Sequence, residues 1–264
     1  MTAQVPDILA RIVEHKREQL EQSRGYRAIV EQAAHLSRDD HRDFKAALQA
    51  NPPAIIAEVK KASPSKGLLC ENFDPTTIAL SYAAGGAAAL SVLTDVKYFQ
   101  GSLHDLDRAR GAVTIPVLRK DFTIDEHHVY EAGSIGADAI LLIAAILTGD
   151  ELRRFRELAE SLGMAALVEV HNEDELKTAI DSGATILGVN NRDLRTFEVR
   201  LETSLDLAER MPADAVCVSE SGIHSNADVK RLMDAGYHAF LVGEHLMKSG
   251  DATLALRTLR QVSV

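Results

Sequence analysis

Eight short apolar runs between residues 54 and 242 constrain the fold of this chain more than any other feature. Strands that are buried on both faces of a parallel sheet have continuous apolar sequences, and they need helices to cover them. We therefore interpret the runs as eight buried strands. They are Ala54–Val59, Ala87–Leu93, Ile115–Leu118, Ala137–Ala144, Ala165–Val170, Thr185–Val189, Ala215–Val218 and Ala239–Val242.

An amphipathic stretch with apolar residues at helical spacing follows each run, which predicts eight covering helices. Four of these stretches end in a glycine just before the next run, as is common at helix C-termini. The predicted helices are Thr76–Ala84, Leu103–Arg110, Glu126–Ile135, Asp150–Leu162, Asp174–Ser182, Leu201–Arg210, Asn226–Ala235 and Ala252–Arg260.

This alternation predicts an α/β fold, the (β/α)₈ TIM barrel, which typically takes about 250 residues. A doubly wound open sheet shows the same alternation and is the alternative fold. The Gly-x-Gly-x-x-Gly fingerprint that often marks that alternative does not follow the first run. We therefore expect the barrel.

Residues 1–53 have a different texture, being polar and charged with apolar residues such as Ile8, Ile12 and Leu20 at helical spacing. They predict a helical N-terminal extension that ends at Asn51-Pro52-Pro53. The extension and eight β/α units use all 264 residues. We therefore expect a single barrel domain over 1–264, with 1–53 as its extension, rather than two domains.

The overall charge and hydropathy exclude some classes of partner. The formal net charge of −10 argues against a general nucleic-acid binder, which would carry a basic field. The apolar runs are far shorter than the roughly 20 residues of a membrane-spanning helix, and the N-terminus lacks the apolar stretch of a secretory signal. We therefore expect a cytoplasmic protein with no nucleic-acid or membrane partner.

Neither a disulfide framework nor a metal site is predicted. Cys70 and Cys217 are too few for a framework or a zinc site, and no pair of histidines with a carboxylate has a metal-binding spacing. The pair His127 and His128 falls in a helix that we expect to be exposed, so we expect both side chains to be solvated. We expect no metal.

The residues at the C-terminal ends of the runs should form the active site, as in other barrels. Ionisable groups inside an apolar run are costly unless they are paired or functional. Buried salt bridges at the barrel rim are the structural alternative. The strand-end residues are Glu58 and Lys60, Thr94, Arg119 and Lys120, Ala144, Glu169, Asn190, Glu220 and Ser221, and Gly243 and Glu244.

A phosphate site is predicted at the ends of the seventh and eighth runs, where barrels frequently bind phosphate. SESGI (219–223) and VGE (242–244) contain glycines that let backbone N–H groups approach an anion. Either motif alone could be a plain turn. Despite the negative net charge, a set of cations is expected at the same rim: Lys60, Lys61, Lys66, Arg119, Lys120 and Arg192.

Lys60, Lys120 and Glu169 form the predicted reactive set. A lysine between a dry barrel mouth and carboxylates can serve as a general acid. A barrel lysine can also form a Schiff base with a carbonyl substrate. The residues alone leave both uses open.

At these strand ends the sequence resembles the indole-3-glycerol-phosphate synthase family, phosphate-binding TIM barrels of tryptophan biosynthesis. The helical N-terminal extension resembles the family too, whose members close one end of the active site with it. The matching segments keep the family's order from the first run to the last: IIAEVKKASPSKG (55–67), LSVLTDVKYFQGS (90–102), PVLRKDF (116–122), ALVEVHNEDEL (166–176), LGVNNRDL (187–194), VSESGI (218–223) and LVGEHLM (241–247).

The resemblance implies a lyase that closes the ring of 1-(2-carboxyphenylamino)-1-deoxyribulose 5-phosphate. The products are indole-3-glycerol phosphate, carbon dioxide and water, and no cofactor is needed. This small phosphosugar–anthranilate compound is the expected partner. We expect a monomer that makes at most transient contacts with other enzymes of the pathway.

The resemblance also implies residue roles. Lys120 would be the general acid of ring closure, Glu169 its acid/base partner, and Asn190 a neighbour that positions Glu169. Lys60 would contact the substrate's carboxylate or phosphate, and the division of proton transfers between the two lysines stays open. Glu58 and Glu220 would keep the lysines charged and orient the substrate. The implied substrate-binding residues are Ser63, Phe99, Phe122, Arg192, Ser221, Gly222, Gly243 and Glu244.

Two rival functions remain at this point. Another phosphate-binding barrel of amino-acid biosynthesis, such as phosphoribosylanthranilate isomerase or an aldolase-type enzyme, is the nearest. Such an isomerase would be expected to use a Cys/Asp or Asp/Asp pair at strand ends, where this chain has lysine and glutamate. A non-catalytic phosphosugar-binding barrel would need the phosphate loops but would tolerate the loss of Lys120 and Glu169.

Overall fold

Eight parallel strands close into a barrel in the computed structural model, which describes residues 7–261. Each strand pairs with the next along the chain, and the last pairs with the first. The predicted (β/α)₈ barrel is therefore confirmed. The strands are β1 (Ala54–Val59), β2 (Ala89–Leu93), β3 (Val117–Lys120), β4 (Ala139–Ile143), β5 (Ala165–Val170), β6 (Ile186–Asn190), β7 (Val216–Glu220) and β8 (Ala239–Val242).

The eight predicted covering helices are present, with ends that differ from the prediction by at most two residues. Two short helices, Val96–Phe99 and Glu244–Met247, lie in loops and were not predicted. The helices are α1 (Asp7–Ser23), α2 (Arg27–Leu36), α3 (Phe44–Ala50), α4 (Pro75–Gly85), α5 (Val96–Phe99), α6 (Leu103–Ala112), α7 (Glu126–Ser134), α8 (Gly149–Ser161), α9 (Glu173–Asp181), α10 (Glu202–Ala208), α11 (Asn226–Asp234), α12 (Glu244–Met247) and α13 (Ala252–Arg260).

The N-terminal end of the barrel is filled by α3. Its Phe44 and Leu48 are fully buried and pack in one apolar cluster with inward-facing strand residues such as Ile56, Leu118 and Leu167. Burying each large apolar side chain contributes about 1.5–3 kcal/mol. The barrel is thus closed with side chains at this end, and the space for a ligand lies at the other.

The alternation of side chains along each strand positions the polar end of the barrel. Successive residues of a strand point to opposite faces. Lys120 and Glu169 lie two residues beyond the inward-facing Leu118 and Leu167, so they point inward as well. Glu58 follows Ile56 in the same way. The inward-facing layers therefore change from apolar to charged at the C-terminal ends.

Arg119 does not belong to the cationic rim, which corrects the expectation from sequence. Its neighbour Lys120 takes the inward position, so Arg119 points outward and is only 6% exposed. It donates hydrogen bonds to Glu131 of α7 at 2.6 Å and to Asp121 at 3.2 Å. Its charge is therefore used within the fold.

The expectation that His127 and His128 are solvated is wrong. The two side chains are 4% and 7% exposed, because α7 is covered by the N-terminal helix α2. Burial lowers the pKa of both rings, that of His128 to about 4. Both are interior residues of the fold.

The described residues also bear on membranes and cysteines. Among residues 7–261, no helix combines the length and the apolar character that crossing a membrane requires. Cys70 and Cys217 are both free thiols, and Cys217 is buried on the helix-facing side of β7.

Candidate active site

A cavity of about 450 Å³ opens at the C-terminal ends of the strands. The apolar part of its wall comes from strand residues such as Leu141 and Ile143 and from Ile8, Leu9 and Ile12 of α1. The structure brings every predicted site residue to this one cavity. They are Glu58, Lys60, Ser63, Phe99, Lys120, Phe122, Glu169, Asn190, Arg192, Glu220, Ser221, Gly222, Gly243 and Glu244.

The floor of the cavity is a layer of charged side chains from the odd-numbered strands. Lys120 of β3 donates hydrogen bonds to Glu169 of β5 at 2.8 Å and to Glu220 of β7 at 2.7 Å. Glu58 of β1 completes the layer and pairs with Lys60. Alternate strands of such barrels supply the side chains of one layer, so the fold itself gathers these residues from four distant segments.

Burial and mutual contact set the protonation of this layer. Burial alone would lower the pKa of Lys120, but Glu169, Glu220 and Glu58 hold it well above its ordinary value. Burial would raise the pKa of Glu169, yet Lys120 and His171 hold it far below the usual range. At neutral pH the site therefore presents an ammonium group beside an ionised carboxylate.

Glu220 behaves differently from Glu169 although both bind Lys120. Burial, together with the negative charges of Glu169 and Glu58, raises the pKa of Glu220 to about 7 despite the attraction of Lys120. One carboxyl of the layer therefore exchanges a proton near neutral pH. Such groups with separated pKa values are typical of acid–base sites.

Two glycines make room for the buried glutamates. A Cβ atom at Gly188 would collide with the carboxylate of Glu220, and one at Gly243 would collide with that of Glu58. Gly188 and Gly243 thus leave the space that the carboxylates of Glu220 and Glu58 occupy at the charged floor.

The turn after β7 has two consecutive residues in the left-handed region of backbone conformation. Ser221 and Gly222 adopt φ angles of 68° and 78°, which is unfavourable for a serine. The Ser221 hydroxyl donates to Asn190 Oδ1 at 2.9 Å, and the same oxygen accepts from the Arg192 backbone N–H at 3.1 Å. Asn190 thereby ties the loop after β6 to the turn after β7.

Two cations lie near the glycine turn that precedes α12. Arg192 and Lys66 each lie 3.8 Å from the carboxylate of Glu244, the first residue of α12. Ser63 belongs to a short ribbon, Ala62–Ser63 with Gly67–Leu68, in the first loop. Basic and hydroxyl groups from three loops therefore meet at the side of the cavity where phosphate was predicted.

An apolar wall adjoins the charged floor. Phe99 at the end of α5 and Phe122 after β3 have ring centroids 6.1 Å apart. With Ile8 and Ile12 of α1 they offer a surface that suits a flat aromatic ring. A ligand with an aromatic group, a reactive carbonyl centre and a phosphate would find complementary chemistry here.

Residues 9–259 of the sequence match the family model described as indole-3-glycerol phosphate synthase. The chain belongs to the indole-3-glycerol phosphate synthase family. Curated relatives agree. The chain is 50% identical over 258 residues to "Indole-3-glycerol phosphate synthase" from a Polaromonas species, which covers 96% of this chain and 98% of that one. It is 49% identical over 258 residues to the relative so named from Chromobacterium violaceum, with 96% and 97% covered.

More distant solved structures share the fold alone. A thiamine phosphate pyrophosphorylase from Pyrococcus furiosus superposes with a TM-score of 0.60 at 16% identity, over 79% of this chain and 94% of that one. An N-acetylmannosamine-6-phosphate 2-epimerase from Clostridium perfringens gives 0.61 at 14% identity, over 78% and 92%. The indole-3-glycerol phosphate synthase family assignment does not depend on them.

In this member of the indole-3-glycerol phosphate synthase family, the structure contains an ion cluster under α1 that was not predicted from the sequence. Lys16 of α1 is 4% exposed and lies 3.1 Å from Asp95 and 2.6 Å from Asp121. Asp95 caps α5, which carries Phe99, and Asp121 directly precedes Phe122. A single lysine on a polar helix gives no signal of burial, because the partner carboxylates are far away in sequence.

His171 was also missed, although it stands two residues after Glu169 and so on the same face of the chain. That spacing was the available signal. With respect to metals, residues 7–261 contain no group of three or more His, Cys, Asp or Glu side chains arranged to hold an ion.

Proposed function

We propose that this chain is an indole-3-glycerol phosphate synthase that closes the indole ring over the charged layer, with loss of carbon dioxide and water. The observation that carries the proposal is Lys120, held between Glu169 and Glu220 at the floor of a cavity that also has an apolar wall and glycine turns. The family membership supports the proposal, and the substrate that the resemblance implies is 1-(2-carboxyphenylamino)-1-deoxyribulose 5-phosphate.

Ring closure is the first step. A bond forms between the aromatic carbon that bears the carboxylate and the ketone carbon of the sugar chain, and negative charge develops on the ketone oxygen. The Lys120 ammonium stabilises that charge and gives the oxygen its proton. Electrostatic stabilisation of this kind by a preorganised donor is commonly the largest single contribution to catalysis.

Decarboxylation and dehydration follow. The cationic iminium that ring closure forms accepts the electrons of the departing carbon dioxide. Loss of water then needs an acid at the new hydroxyl and a base for the ring proton, and we assign the base to Glu169. Lys60, paired with Glu58 beside the layer, is the second ammonium that can supply a proton or bind the substrate's carboxylate.

The phosphate is bound at a distance from the reacting atoms. We assign it to the backbone N–H groups of Ser221, Gly222, Gly243 and Glu244, with Ser63 and Arg192 close by. Binding energy at this end holds the flexible sugar chain in a reactive shape, which can supply several kcal/mol of the barrier reduction. Phe99 and Phe122 are assigned to the aromatic ring. Asn190 was expected to position Glu169, but its side chain accepts hydrogen bonds from Ser221 and from the Arg192 backbone, so we assign it to the positioning of the loops after β6 and β7.

The protonation of Lys120 favours general acid catalysis over a Schiff base. A Schiff-base lysine must be neutral to attack a carbonyl, and such lysines have lowered pKa values. Three carboxylates instead raise the pKa of Lys120 against the effect of burial. The isomerase rival gains no support from Cys217, because that thiol faces the helices rather than the cavity.

We propose that residues 1–264 act as one barrel domain with 1–53 as its extension. We propose that the protein works as a monomer in the cytoplasm, and that its contacts with other enzymes of tryptophan biosynthesis are transient.

The decisive assay uses the absence of tryptophan from the sequence, which leaves little protein fluorescence to hide an indole product. The carboxyphenylamino substrate is mixed with the protein at neutral pH, with and without EDTA. We expect indole fluorescence to rise equally in both, because lysine and glutamate supply the acid and the base. No indole signal would refute the proposed function, and a signal that EDTA abolishes would refute its metal-free form.

A further inference from the structure

His171 follows Glu169 by two residues in the chain and contacts its carboxylate. Its Nε2 is 3.4 Å from Glu169 Oε1, and the two side chains are 12% and 4% exposed. Glu169 Oε2, the other oxygen, accepts the hydrogen bond of Lys120 at 2.8 Å. Each oxygen of this carboxylate therefore faces a different basic group. Among the residues described, His171 is not part of the cavity wall.

Glu175 in the first turn of α9 fixes the imidazole from the other side. Its Oε2 lies 3.0 Å from His171 Nδ1 and accepts the His171 backbone N–H at 2.8 Å. Its Oε1 accepts from the Asn172 side chain at 2.7 Å. The carboxylate thus closes the loop between β5 and α9 and leaves the ring little freedom to turn.

This geometry selects the doubly protonated ring. An ionised carboxylate only accepts hydrogen bonds, so the contact with Glu175 requires a proton on Nδ1. A neutral ring would then turn the lone pair of Nε2 towards the negative oxygen of Glu169. The imidazolium instead presents an N–H group to each carboxylate.

The charges around the ring agree. Burial alone would lower the pKa of His171, but Glu169 of β5 and Glu175 of α9 raise it to about 10. Lys120 and Glu220 lie on the far side of Glu169. Within the described chain, Nε2 makes no hydrogen bond, and its contact with Glu169 at 3.4 Å is an ion pair.

We propose that His171 is a positioning residue for the ring-forming reaction: an imidazolium anchored by Glu175 that holds the Glu169 carboxylate ionised and oriented towards Lys120. The inference rests on the proposed function. When Lys120 gives its proton to the ketone oxygen, the positive charge on one side of Glu169 disappears. His171 is then the cation that keeps the carboxylate ionised and in place until it takes the ring proton.

Two substitutions separate the two nitrogens of the ring. His171→Gln places an amide donor near the position of Nε2, whereas His171→Asn places one near Nδ1 only. We expect His171→Asn to lower kcat about tenfold to hundredfold, a part of the roughly 10²–10⁴ that general acid–base catalysis contributes. KM should change little, because His171 does not line the cavity. His171→Gln should recover part of kcat.

A spectroscopic measurement gives a second readout. The ring nitrogens of His171 in the wild-type protein should give the ¹⁵N shifts of an imidazolium up to about pH 8.5, well above the ordinary histidine range. In Glu169→Gln the ring should titrate at lower pH. A neutral ring at about pH 7.5 in the wild type would overturn the proposal.

Controls distinguish the possible failures. His35→Asn makes the same chemical change at an exposed position of α2 and should keep wild-type kcat. If the wild-type protein forms no indole, the proposed function fails. If the wild-type protein forms indole but His171→Asn keeps the wild-type kcat, with or without a change in KM, this inference alone fails. Equal loss of kcat in the Asn and Gln variants would also overturn it, since that result points to the anchoring contact with Glu175.

Discussion

At the residue scale, the chemistry of this site depends on which of two neighbouring cations faces the barrel axis. Lys120 points inward to Glu169 and Glu220, and Arg119 points outward to Glu131. The two-residue period of a strand decides the difference. The inward lysine is held as an ammonium by carboxylates that are themselves buried, which is the condition a proton donor needs at neutral pH.

His171 provides a test of this electrostatic layer through protein stability. Its pKa in the folded protein, about 10, lies above the ordinary 6.5. A raised pKa stabilises the fold fully below about pH 6.5, and that stabilisation is lost as the pH rises towards 10. We therefore expect His171→Asn to lower the free energy of unfolding more at about pH 6 than at about pH 10, by at least about 1 kcal/mol.

Urea unfolding of the wild type and the variant at the two pH values measures this difference, because other titrating groups are common to both. An equal loss of stability at both pH values would mean that folding does not raise the pKa of the His171 ring.

At the element scale, the cluster around Lys16 joins α1 to the loops after β2 and β3. The ammonium lies between Asp95 and Asp121, and Asp121 also accepts a hydrogen bond from Thr94 at 2.6 Å. At its other end the N-terminal extension is fixed by Asp138, which accepts the Arg42 backbone N–H at 2.8 Å. The helix that covers the cavity is thus attached through buried charge.

Lys16→Met should reveal the strength of this attachment. The substitution leaves the buried carboxylate of Asp95 without its cation and removes one of the two cations at Asp121. Removing one partner of a buried ion pair typically costs about 3–5 kcal/mol. We expect the free energy of unfolding to fall by an amount near the lower end of that range, because Arg119 still pairs with Asp121.

Arg17→Met is the matched control, since Arg17 pairs with Glu14 at a position where both side chains are 67% exposed. Exposed pairs contribute about 0–1 kcal/mol. Urea unfolding curves should therefore show a large loss for Lys16→Met and almost none for Arg17→Met. Equal losses would show that the Lys16 cluster adds nothing to stability.

The elements also show which parts of the site were predictable. The apolar runs predicted the strands. The two-residue period of a strand and the barrel topology then placed Glu58, Lys120 and Glu169 together, because the direction of each side chain depends only on its position in its own strand. The burial of Lys16 and of His128 could not be predicted, since it depends on how the N-terminal helices pack against distant loops and helices. His171 lies between these cases. Its two-residue spacing from Glu169 is visible in the sequence, whereas its contact with Glu175 is not.

At the scale of the whole molecule, the distribution of charge matters more than its sum. The net charge is −10, yet Lys66 and Arg192 lie beside the glycine turn before α12, and Lys60 and Lys120 lie among the carboxylates of the cavity floor. Local fields in a cleft, rather than the total charge, determine which ions a protein binds. An acidic chain can therefore bind an anionic phosphosugar at one end of its barrel.

Whether this molecule is a catalyst or a passive phosphosugar binder depends on Lys120. We expect Lys120→Met to bind the carboxyphenylamino substrate in calorimetric titration while its single-turnover indole signal falls at least about 10²-fold, the lower range of general acid catalysis. Lys97→Met, the same change at an exposed position of α5, should keep the wild-type rate. Turnover of Lys120→Met at the wild-type rate would contradict the assignment of the acid, and with it the mechanism.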